Sequence, residues 1–157
     1  MTDIVLLHPE IPHNTGAIGR LCVGLGWPLH IIRPFGFALD EKHIRRAGLD
    51  YWEHLDITLH DSFEAYLAAR QPSALRFLST KGGTTLYDVT YPEKCALIFG
   101  CESSGLPNEY YEKYKADLVT IPMPGEYGRS LNLSNAVSVA AYEAYRWQQK
   151  ECVDKFN

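Results

Sequence analysis

Three stretches of this chain carry residue types and spacings suited to a ligand-binding centre. Residues 129 to 145, Arg129-Ser-Leu-Asn-Leu-Ser-Asn-Ala-Val-Ser-Val-Ala-Ala-Tyr-Glu-Ala-Tyr145, open a run of small polar side chains directly onto an apolar helix. A helix start leaves backbone N–H groups without intrahelical partners, and Ser130, Asn132, Ser134 and Asn135 add side-chain donors and acceptors beside them. The other two stretches are Glu10-Ile-Pro-His-Asn-Thr-Gly-Ala-Ile-Gly-Arg20 and Leu97-Ile-Phe-Gly-Cys-Glu-Ser-Ser-Gly-Leu-Pro107. Taken alone, the first reads more simply as an N-cap followed by a core helix, and the other two shift that balance. Together they offer backbone amides, carbonyls and small side chains to a small polar ligand.

The elements that position them follow from the apolar pattern. Ile4-Val-Leu-Leu7, Leu29-His-Ile-Ile32, Leu75-Arg-Phe-Leu78, Ala96-Leu-Ile-Phe99 and Leu118-Val-Thr-Ile121 are short apolar runs of the kind found in strands buried on both faces. Leu55-Asp-Ile-Thr-Leu59 alternates and is a weaker strand signal. Helical segments are expected at roughly 14–25, 40–47, 62–70, 108–114 and 134–149. Asp61-x-x-Glu64 predicts a capping box for the third of these, Pro72 its end, and Gly26 the C-cap of the first. Strands alternating with helices predict an α/β fold, a mainly parallel sheet flanked by helices, with ligand sites at the carboxyl ends of the strands. The motifs fall at those ends.

The 157 residues form a single domain over 1–157, with 151–157 read as a frayed tail. At 46% hydrophobic and 22% charged residues, the balance is that of a globular protein. No apolar run reaches a membrane span and Met1-Thr-Asp-Ile-Val lacks the basic region of a signal peptide, so a cytoplasmic protein is expected. The four cysteines show no C-x-x-C and the six histidines no H-x-x-x-H spacing; no metal is read. A formal charge of −4 excludes a wholly basic nucleic-acid binder but not a local patch. Arg33, Lys42, His43, Arg45 and Arg46 form one against Asp40 and Glu41.

The first strand is followed by a proline-rich loop with no G-x-G-x-x-G, and neither G-x-x-x-x-G-K-[ST] nor G-x-S-x-G occurs. Dinucleotide, P-loop and hydrolase-elbow chemistries lose their support. What remains is closely similar to a known pattern. Asn14-Thr-Gly-x-x-x-Arg20, Gly100-x-Glu102-x-x-Gly105-Leu-Pro, and Ile121-Pro-Met followed by Ser130-Leu-Asn-Leu-Ser-Asn-Ala-Val137 resemble the three motifs of the SPOUT superfamily of RNA 2′-O-ribose methyltransferases, SpoU/TrmH class. The likeness extends to Pro34-x-Gly-Phe, Arg45-Arg-Ala-Gly-Leu-Asp-Tyr51 and Thr80-Lys-Gly82, and so to nearly the whole chain. Within the class it is similar to small stand-alone members that methylate the 2′-oxygen of the tRNA wobble nucleotide.

The resemblance implies a SPOUT fold with a C-terminal trefoil knot, S-adenosylmethionine as cofactor, the tRNA anticodon stem-loop as substrate, and a homodimer whose two sites are completed across the interface. It places Leu78, Thr80, Gly100, Gly105, Ile121, Met123, Ser130, Leu131 and Asn135 at the cofactor. It makes Arg20, Asn14 and Glu102 the catalytic set, with Glu102 orienting Asn14 or Arg20. Arg45, Arg46 and Lys81 would hold RNA. Cys101, Ser103 and Ser104 stand where the class commonly has Pro, Thr and Arg, so one cationic contact is missing from the middle loop. Other targets in tRNA or ribosomal RNA, and a catalytically silent RNA-binding dimer, remain as alternatives.

Overall fold

The computed structural model describes residues 1–35 and 51–154. The expected helix at 40–47, the Pro34-x-Gly-Phe motif beyond Phe35, and Arg45 and Arg46 lie outside the described residues. Among the described residues, seven strands form one sheet: β1 (Asp3–Leu7), β2 (Leu29–Ile32), β3 (Ile57–His60), β4 (Ala74–Leu78), β5 (Thr84–Thr85), β6 (Cys95–Phe99) and β7 (Leu118–Thr120). Their order across it is β3-β2-β1-β6-β4-β7-β5, and every neighbouring pair is parallel. The described helices are α1 (Pro12–Leu25), α2 (Phe63–Arg70), α3 (Asn108–Lys113) and α4 (Leu133–Asp154).

The period of two along a strand divides the apolar runs between two cores. Ile4, Leu6, Leu97 and Phe99 join Ile18 and Cys22 of α1 and Val137, Ala140 and Ala144 of α4 on one face. Val5, Leu7, Ala96 and Ile98 join Phe63 and Tyr66 of α2 and Tyr110 of α3 on the other. All five residues of β1 and of β6 are buried, which is why both read as unbroken apolar runs rather than alternating ones.

Local signals are met with one displacement. Gly26 adopts φ 65° at the C-cap of α1, and α2 ends one residue before Gln71, itself left-handed at φ 47°. The cap of α2, however, is Ser62 and not Asp61. Ser62 Oγ accepts from Ala65 N at 3.1 Å, while Asp61 turns outward to Arg33 Nε at 3.4 Å. Ser62 takes the extended conformation required of an N-cap, φ −152° and ψ 165°, because Phe63 must begin the helix to reach the core.

Beneath the sheet's amino edge lies a buried polar cluster that no sequence pattern announced. Asp3 accepts from Tyr66 Oη at 3.0 Å and from Arg70 Nε and Nη2 at 3.0 and 2.9 Å, and His30 Nε2 stands 3.5 Å from its carboxylate. Burial alone would raise the Asp3 carboxyl, but the bonds and charges of His30 and Arg70 hold it well below the usual carboxylate range. A depressed carboxyl stabilises the fold above its ordinary value of 3.8 and loses that contribution as pH falls below it. Asp3→Ala leaves Tyr66 and His30 without this partner, whereas Arg70 can turn to water. We expect a cost of about 2 kcal/mol, or a fall of roughly 4–8 °C in Tm near neutral pH. The difference from wild type should shrink as the melt is repeated at progressively lower pH; a gap independent of pH would contradict the account.

Candidate active site

Strands β6, β4 and β7 are neighbours, so the loops leaving their carboxyl ends are brought together by topology. They enclose a cavity of about 600 Å³ with Leu78 to Lys81, Gly100 to Leu106, Ile121, Met123 and Arg129 to Leu133 in its walls. Ile11 and Asn14, from the start of α1, close one side.

The middle loop is a closed turn. Cys101 N donates to Gly105 O at 3.1 Å and Gly105 N returns to Cys101 O at 3.0 Å. Gly105 sits at φ 74°, a left-handed conformation natural to glycine. A Cβ on Gly100 would lie 2.0 Å from the Gly105 carbonyl carbon. The missing side chain of Gly100 thus lets the loop fold back on its own strand.

Side-chain amides and carboxylates tie the loops to the helix starts. Glu102 accepts from Asn14 Nδ2 at 3.0 Å, and Asn14 Oδ1 accepts from Asn132 Nδ2, also at 3.0 Å. Asn132 Oδ1 in turn accepts from Ser134 N at 2.9 Å and Asn135 N at 3.4 Å, capping α4. One relay thus runs from the middle loop through α1 to the head of α4, and every bond in it has its donor and acceptor assigned by chemistry.

The cavity wall contains Leu78, Thr80, Lys81, Gly100, Gly105, Ile121, Met123, Ser130 and Leu131, together with Asn14 and Glu102. Asn135 stands just outside it, in the first turn of α4. Arg20 is also outside. Its exposed guanidinium lies over the Tyr51 ring, 5.4 Å from the centroid, and among the described residues it forms no ion pair with Glu102. Of the two partners expected for Glu102, the structure gives it Asn14.

Tyr111 and Arg129 are among the lining residues that the sequence did not single out. Tyr111 accepts from Ser79 Oγ at 3.3 Å and carries the Lys81 ammonium 4.9 Å above its ring. Arg129 is exposed and adds a cation to the wall. Arg129 heads a quoted motif and could have been singled out; Tyr111 lies on α3, outside every motif. The chemistry available is uncharged apolar packing from Leu78, Ile121 and Leu131, a rim of backbone amides, and cations at the mouth.

The sequence profile of the SpoU rRNA Methylase family matches residues 1–142. A tRNA (cytidine(34)-2′-O)-methyltransferase from Escherichia coli K12 is 49% identical over 147 residues, 93% of either chain. A solved structure described as giving structural insights into the 2-OH methylation of C/U34 on tRNA superposes with a TM-score of 0.87 at 49% identity, covering 96% of this chain and 97% of that one. A SpoU methyltransferase from Streptomyces viridochromogenes, in complex with the cofactor AdoMet, superposes with a TM-score of 0.78 at 25% identity, over 93% of this chain and 57% of that one.

Proposed function

Because the chain belongs to the SpoU methylase family, we propose that it transfers a methyl group from S-adenosylmethionine to the ribose 2′-oxygen of the tRNA wobble nucleotide, cytidine or modified uridine at position 34. The observation that carries this reading is the near full-length likeness to relatives bearing that name, over a chain whose three loop motifs meet in one cavity.

The cavity suits the cofactor. Its volume lies inside the range of about 300–1,000 Å³ typical of small-molecule sites. Leu78, Ile121 and Leu131 offer an apolar slot for a purine, and Ser130 and the 100–105 backbone offer polar contacts around it. The cofactor supplies a methyl group already activated on a sulfonium. The protein has to bind it, exclude water and bring the ribose hydroxyl in line. Lys81 at the mouth, with Arg45 and Arg46, holds RNA phosphates. Asn14 and Glu102 fix the loop that faces the substrate. Arg20 stabilises the developing alkoxide, since a guanidinium stays protonated and is poorly suited to removing the hydroxyl proton. That proton passes to a phosphate oxygen or water.

Arg20 stands clear of its own chain's cavity, which fits a dimer in which it serves the cavity of a second copy. Much of the apolar surface of α1 and α4 is used internally: Ile18, Val137 and Ala141 are buried within the chain. What stays outside is one stripe of α4, with Val139 40%, Tyr142 56% and Tyr145 39% exposed, and Ala17 on α1. Sedimentation at micromolar concentration is expected to give twice the 17.8 kDa chain mass, and the chain mass alone would count against the dimer. The knotted topology comes with the family likeness, and the strand order, with β7 inserted between β4 and β5, accommodates it. Among the described residues no helix is long and apolar enough to cross a membrane, and the proposed tRNA substrate supports a cytoplasmic location.

Nucleoside mass spectrometry tests the reading. After incubation with the purified protein and S-adenosylmethionine, tRNA from cells lacking this protein should gain a 2′-O-methyl group at the wobble nucleotide. Methylation confined to another tRNA position or to ribosomal RNA would move the target; none in any RNA would remove the activity.

A further inference from the structure

Glu10 lies outside the cavity lining, yet its carboxylate grips one of the walls. Its two oxygens accept from the Ser103 backbone N–H at 2.9 Å and from the Ser103 hydroxyl at 2.7 Å. In the opposite sense, Glu102 accepts from the backbone N–H groups of Glu10 at 2.7 Å and Ile11 at 3.1 Å, and from Asn14 at 3.0 Å. Each loop offers a carboxylate to the other's donors. Bonds to an ionised acceptor are the strong kind, and the Glu102 charge also meets the positive end of α1.

The clasp joins two surfaces with different tasks. Glu102 and Ser103 belong to the cavity wall, whereas residues 10–14 launch α1, which carries Arg20 on its exposed side. Two carboxylates are drawn into the same small region, and the donors lying between them hold the loops together.

We propose that this reciprocal clasp couples cofactor binding to RNA binding, with Glu10 as the positioning residue that transmits it; the inference rests on the methyltransferase reading above. A ligand settling against the 101–105 loop fixes Ser103 and Glu102, and through them the direction in which α1 leaves residues 10–14. Ordering accomplished by one ligand is not required again of the second, and each therefore tightens the other by the same factor.

The test compares the affinity of tRNA, isolated from cells lacking this protein, with and without saturating S-adenosylhomocysteine. It uses the wild-type chain, Glu10→Ala, Ser103→Ala and the double variant. The wild-type ratio of affinities should be about fivefold or more. It should fall towards one in Glu10→Ala and part of the way in Ser103→Ala, whose backbone N–H still donates to Glu10, with no fall in the double beyond that in Glu10→Ala, because the Ser103 hydroxyl acts only through that carboxylate. Ser103→Thr, which keeps the hydroxyl, should recover most of the ratio lost in Ser103→Ala. A merely structural role would weaken both ligands and leave the ratio unchanged. A wild-type ratio of one, or the same ratio in every variant, overturns the coupling while leaving the activity standing. If the wild-type chain does not bind S-adenosylhomocysteine at all, the methyltransferase reading falls and the coupling with it.

Discussion

Replacing Arg20 by alanine is expected to lower the single-turnover rate of methyl transfer by about 10²–10³ at saturating tRNA, while cofactor affinity stays within about twofold. The expectation for affinity comes from position: the guanidinium is packed on Tyr51 and forms no part of the cavity wall. The expectation for rate comes from charge. An alkoxide developing on the ribose needs a fixed cation, and a donor that acts only in the transition state changes kcat rather than KM. Arg45→Ala and Arg46→Ala should behave oppositely, weakening tRNA binding and reducing the slope of affinity against salt by about 1 each. If Arg20→Ala regained the full rate simply on raising the tRNA concentration, Arg20 would be a binding residue and its assignment to the reaction would be wrong.

Gly100→Ala should lower methyl transfer at limiting S-adenosylmethionine by about 10²-fold for a different reason. The added Cβ would be placed 2.0 Å from one backbone atom of Gly105, 2.2 Å from a second and 2.3 Å from the amide nitrogen of Leu106. No side-chain rotation relieves a clash with main chain, so the 101–105 turn has to open. Overpacking of this severity costs about 3 kcal/mol, which as a loss of affinity is on the order of 10²-fold. Calorimetric titration with S-adenosylhomocysteine reads it directly. Gly24→Ala is the control, because nothing lies within 4 Å of a Cβ at that position. Wild-type affinity in Gly100→Ala would mean that the turn is not a rigid part of the site.

The sheet was legible in the sequence wherever burial on both faces produced an unbroken apolar run, as in β1 and β6. β5 was not, since two residues, Thr84 and Thr85, carry no period at all. The capping box at Asp61 and Glu64 pointed one residue too early, because both Asp61 and Ser62 are good caps and only the burial of Phe63 decides between them. At the site, the three motifs identified the loops but not their internal logic. Asn132 looked like one of several polar neighbours of a helix start, yet it alone both caps α4 and reaches Asn14. The Asp3 cluster was hidden for a simpler reason: Asp3 and Arg70 are 67 residues apart, and no local pattern records such a meeting.

The position of β7 also governs when this protein becomes functional during its own synthesis. Residues 118–120 pair with β4 on one side and β5 on the other, so a nascent chain that has not yet delivered them presents β4 with an unpaired edge. Such an edge is a template for pairing with other chains, and the ribosome exposes it until the last quarter of the polypeptide emerges. A message truncated upstream of Leu118 therefore yields an aggregation-prone fragment rather than a weak enzyme. Only a chain that includes β7 brings the ends of β6, β4 and β7 together, and with them the cavity walls.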